Sequence, residues 1–126
     1  MAAHENPLTE LEQRLIAIAD DRQFKLVRNP PVQYYCEFEH SGVVVYLDRQ
    51  RTKRNIIAVF LHPETDLSRL PLDIGLQIPT EFRHADGMTR FPKKINRGKQ
   101  PSTYGYSVVC GDITAFGRLL DALKST

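Results

Sequence analysis

The stretch Tyr34-Tyr35-Cys36-Glu37-Phe38-Glu39-His40-Ser41-Gly42-Val43-Val44-Val45-Tyr46-Leu47-Asp48 decides the fold. Side chains along a strand alternate between two faces, so Tyr34, Cys36 and Phe38 share one face while Tyr35, Glu37 and Glu39 share the other. His40-Ser41-Gly42 is a compact turn, with Gly42 free to take positive φ. The returning strand, residues 43–48, sets Val43, Val45 and Leu47 against Val44 and Tyr46. After the basic turn 49–54, the run Asn55-Ile56-Ile57-Ala58-Val59-Phe60-Leu61 is apolar on both faces, which predicts the central, most buried strand. The connections are too short for helical crossovers, so these three strands form an antiparallel meander.

Working outward, each end of the chain predicts a helix. Thr9 with Glu12 is a capping box, and Leu8, Leu11, Leu15 and Ile18 follow at spacings of three and four. Asp20 and Asp21 oppose the helix dipole, so this helix is expected to end by about Arg22. At the other end Asp112 is an N-cap, with Ile113, Phe116, Leu119, Leu120 and Leu123 on one face. Between these, Phe24 to Val27 is a possible short strand. Residues 72–78 are a weak strand or an irregular loop, and 88–91 a short strand stopped by Pro92. Residues 93–101 read as an exposed basic loop, and 104–110 as a strand. The expectation is a single α+β domain over residues 1–126. It has an antiparallel sheet of about five strands, with the N-terminal and C-terminal helices packed on one face as a two-layer sandwich.

Composition agrees with a single folded domain. The chain has 126 residues, 41% of them hydrophobic, and its 17 Lys and Arg against 15 Asp and Glu leave a formal charge of +2. That apolar fraction and small net charge exclude intrinsic disorder, and no run approaches the length of a membrane-spanning helix. Cys36 and Cys110 sit in apolar strand runs without C-x-x-C spacing, which predicts two buried free thiols rather than a disulfide, zinc knuckle or redox motif. With no secretory signal in Met1-Ala2-Ala3-His4-Glu5, a reducing cytoplasm is the expected compartment.

Catalytic signatures are absent. There is no Gly-rich phosphate cradle, G-x-S-x-G elbow or H-E-x-x-H motif, and no cofactor is expected. Glu37 and Glu39 share a strand face, an arrangement open to metal binding, acid-base work or simple solvation. The pairs His62 with Glu64 and His84 with Asp86 occupy turns, where two side chains can be aimed at one ion.

Charge is the informative feature. Residues 1–21 carry five acids against Arg14, whereas Arg49, Arg51, Lys53 and Arg54 place four cations in six residues. Residues 83–106 hold Arg83, Arg90, Lys93, Lys94, Arg97 and Lys99 against Asp86 alone. Such separation steers a polyanion to one face. Tyr104, Tyr106 and Phe91 lie near the second cluster, where aromatics next to cations suit stacking on unpaired bases and Gly98 and Gly105 would let backbone approach a phosphate.

The first expectation is therefore a small non-enzymatic module that binds nucleic acid. Basic segments 49–54 and 93–99 would contact the backbone, with Arg90 adding charge and Tyr104 or Tyr106 stacking. The second is a protein-binding module, an inhibitor or adaptor of the kind mobile elements and phages encode, docking on an acidic partner. The third is a metal-dependent enzyme using His62, Glu64, His84 or Asp86.

Overall fold

A computed structural model describes residues 7–27, 34–71, 73, 75–95 and 101–124. Helix α1 spans Glu10–Asp21, α2 is the single turn Arg49–Thr52, and α3 spans Ile113–Lys124. The strands are β1 (Lys25–Leu26), β2 (Tyr35–His40), β3 (Val43–Asp48), β4 (Ile57–Leu61), β5 (Leu76–Gln77), β6 (Arg83–His84), β7 (Lys93–Ile95) and β8 (Pro101–Cys110). The sheet runs β1-β2-β3-β4-β8-β5, with β6 and β7 also paired to β8 and every pairing antiparallel. The α+β class, the meander and the two terminal helices follow the sequence reading. The strand number is eight rather than about five, because β1, β5, β6 and β7 have only two or three residues each, too short to show a period.

Alternation divides the sheet into two apolar faces. Cys36, Phe38, Val45, Leu47, Ile57, Val59, Leu61, Val108 and Cys110 point to the helix side. There they meet Leu15 and Ala19 of α1 and Ala115, Phe116, Leu119, Leu120 and Leu123 of α3. Tyr35, Tyr46 and Phe60 point the other way and are covered by Met88 and Phe91. Strand β4 is thus buried on both sides along its whole length.

The cover on the second face is an arch over β8. Ala85 N–H donates to Thr103 O, and Tyr104 N–H donates to Pro92 O. Backbone groups of neighbouring strand residues point to opposite sides, so β6 and β7 flank β8 and residues 85–92 cross over it. Thr103 Oγ donates to Ala85 O and accepts from Met88 N–H at 3.3 Å. Tyr35 Oη donates to Asp86 O at 3.0 Å, and Tyr46 Oη accepts from Arg90 N–H at 3.0 Å. Gly105 makes the crossing possible. A Cβ there would stand 2.5 Å from Leu61 O and 3.2 Å from the Phe91 ring. Residues 88–91 are therefore turns of this arch, not a strand, and 93–95 form a strand where a loop was expected.

One buried polar cluster ties α1 to the sheet. The capping box forms as predicted: Glu12 N–H donates to Thr9 Oγ1 at 3.0 Å, and Thr9 N–H donates to Glu12 Oε1 at 2.9 Å. The same carboxylate, fully buried, accepts from Arg49 Nε at 3.0 Å and from the Thr52 hydroxyl at 2.6 Å. Burial alone would raise the Glu12 pKa. The hydrogen bonds from Arg49, Thr52 and the Thr9 amide outweigh it and hold the carboxyl below its ordinary value.

Candidate nucleic-acid interface

The first basic segment is shaped by α2. Asp48 caps this turn, with Oδ1 accepting from Gln50 N–H at 3.0 Å. One turn of helix sends neighbouring side chains in different directions. Arg49 goes inward to Glu12 and has no exposed surface, so it is withdrawn from the predicted binding set and serves the core. Arg51, Lys53 and Arg54 go outward.

Strand β6 brings a fourth cation to them. Pairing of Arg83 with Gly105 and of His84 with Tyr104 fixes this short strand on β8. Arg83 then lines, with Asp48, Gln50, Arg51, Lys53 and Arg54, one open depression of about 560 Å³. Arg83 also borders a neighbouring hollow of about 540 Å³ with Arg51, Phe82, Ser107, Val109 and one acid, Glu81. A smaller one of about 240 Å³ lies between Tyr34, Tyr35, Arg83, His84 and Asp86. Arg51 stands 3.9 Å from Asp48, a loose pair, whereas Lys53, Arg54 and Arg83 form no ion pair among the described residues. Segments about thirty residues apart in sequence thus bring their charges to one place, as a polyanion site requires.

Beside the depression is an aromatic cluster. Phe82, 39% exposed, lies 4.7 Å from the Tyr106 ring and 5.0 Å from the Tyr104 ring, centre to centre. His84 adds a fourth ring, 5.6 Å from Tyr104. Lys94 Nζ sits 5.0 Å from the Phe82 centroid and 4.9 Å from that of Tyr104, within cation–π range. Phe82 belongs to both features, since it packs on the tyrosines and also lines the hollow with Arg51 and Arg83.

The other predicted residues are placed differently. Arg90 donates to Glu39 at 2.9 Å and to Glu37 at 3.4 Å. Its hydrogen bond, more than its charge, holds the Glu39 carboxyl below its usual range. The acidic pair on β2 is therefore the partner of Arg90, which lines a separate depression with His62 and Arg69. Lys93 is exposed on β7, while Arg97, Gly98 and Lys99 lie outside the described residues. Phe82 was not anticipated. Its signal was an aromatic next to a cation, at the position that pairing would set beside Tyr106.

Among the described residues no three His, Cys, Asp or Glu side chains gather as a ligand set. His62 Nδ1 accepts from Glu64 N–H at 3.0 Å, closing its own turn, and His84 Nδ1 meets Ser102 Oγ at 2.9 Å. The two histidines line different depressions. Both cysteines are free and buried, and burial pushes each thiol up to about 12, away from nucleophilic use. Among the described residues no helix is long and apolar enough to cross a membrane. Comparison with protein-family models, with curated proteins and with solved structures gives no match.

Proposed function

We propose that this domain binds nucleic acid, without catalysis, through the surface formed by Arg51, Lys53, Arg54 and Arg83. The observation that carries the proposal is the convergence of these four cations on one open depression, where Asp48 is the single acid among the lining residues. Three of them have no ion-pair partner among the described residues, so their charge is available to phosphate. Phosphate contacts of this kind give affinity without sequence preference. Aromatic rings beside the cations favour nucleic acid over an acidic protein surface, because bases present flat π faces next to the phosphates.

Binding of labelled oligonucleotides across a salt series tests this. If all four cations meet phosphates of a single strand, log K falls against log salt with a slope of roughly −3, and each cation removed flattens it by about 0.7. A protein that forms no salt-sensitive complex with any oligonucleotide at low salt would refute the proposal. A protein partner retained after nuclease treatment, with no oligonucleotide binding, would put the adaptor reading in its place.

A further inference from the structure

Phe82 is 39% exposed and joins the half-buried Tyr104 and Tyr106 in one aromatic cluster at the edge of the charged surface. This ring does not hang free, since Tyr104 and Tyr106 pack against it. A supported ring loses little conformational freedom when a second flat group stacks on it, which favours binding. Its immediate neighbour in sequence, Arg83, faces the cationic depression, and Arg51 lines the hollow that Phe82 borders. Lys94 stands beside the same rings. A nucleotide has this arrangement in complement: a flat base joined through its sugar to an anionic phosphate.

We propose that the nucleic acid taken by this domain is single-stranded, with one base stacked on Phe82 and the adjoining phosphates held by Arg83, Arg51 and Lys94. This rests on the nucleic-acid reading above and adds the class of strand to it. In a duplex both faces of each internal base are covered by its neighbours, so a protein ring at the surface finds none to stack on. An unpaired base offers its face at no such cost. Stacking also tolerates any base, because every base has a flat π face.

The test uses the full chain, a short single strand carrying one 2-aminopurine, and a hairpin duplex of the same charge, all at low salt. The single strand is expected to bind roughly tenfold more tightly than the duplex, with its fluorescence quenched by stacking. Phe82→Leu, which keeps an apolar side chain but removes the ring, is expected to lose roughly tenfold in single-strand affinity together with the quench. Its salt slope should persist, because no cation has been removed. Phe82→Trp should retain affinity and quench. Equal affinity for the two substrates, or a Leu variant that binds and quenches like the parent, overturns the stacking proposal while leaving nucleic-acid binding in place. Failure of both substrates to bind overturns the two proposals together.

Discussion

Glu12 and Arg49, 37 positions apart, meet as a fully buried two-point pair, with Arg49 Nε 3.0 Å from Glu12 Oε2 and Nη2 3.1 Å from Oε1. The pair lets one carboxylate cap α1, pin it to the α2 turn and accept from Thr52. Arg49 is thereby anchored while the next residues of its segment project outward, so the basic surface is positioned from the core.

Breaking one side of a buried ion pair costs about 3–5 kcal/mol, because the other charge stays in a dry site. Glu12→Gln keeps an acceptor for the Thr9 amide but takes the carboxylate from Arg49. Urea unfolding should show a loss of about 3 kcal/mol or more. The double variant Glu12→Leu with Arg49→Met should be more stable than Arg49→Met alone, since it leaves no charge behind. A Glu12→Gln protein as stable as the parent would show that the pair contributes nothing.

Stability should also depend on pH in a definite direction. The native Glu12 carboxyl has a lowered pKa, so it binds its proton less readily than the same group in the unfolded chain. Its contribution is complete above the ordinary glutamate pKa of about 4.3 and is lost as pH falls through the lower native value. Glu39, lowered by Arg90, acts in the same sense, but its exposure to solvent screens it. Unfolding midpoints should therefore drop below about pH 4.5. In Glu12→Gln that drop should be shallower, and an equal drop in the two proteins would count against this assignment.

Gly105 tests the arch. A methyl group there meets Leu61 O and the Phe91 ring, and neither can retreat without moving β4 or residues 85–92. Gly105→Ala should cost about 1–3 kcal/mol, the usual range for overpacking. Because β6 hangs from the same arch, binding should weaken as well. Thermal unfolding and oligonucleotide affinity measured on one preparation check both effects.

The sequence was legible where a period repeats. Strands β2 and β3 alternate over six residues, β4 is an unbroken apolar run of five, and α1 and α3 repeat at three and four over twelve. Strands β6 and β7 are too short for that, and β8 organises them by pairing across the arch. The end of α1 was placed correctly, but by its acids. What closes it is Gln23 in the left-handed region at φ 67°, with Phe24 N–H donating to Ala19 O, a role usually given to glycine. Arg49 looked like one more exposed cation because its partner lies in another element and already serves a local cap. The grouping of Arg51, Lys53 and Arg54 was visible in sequence, whereas the arrival of Arg83 and Phe82 beside them depends on β6 pairing.

The most direct measurement is a titration of isotope-labelled protein with a short single strand at low salt, followed residue by residue through backbone amide shifts. Binding at the cationic depression should concentrate shifts at residues 51–54, 82–84 and 104–106 and leave residues 37–39, 62–69 and 90 unmoved. Shifts centred on the depression around His62, Arg69 and Arg90, or none at all, would contradict it.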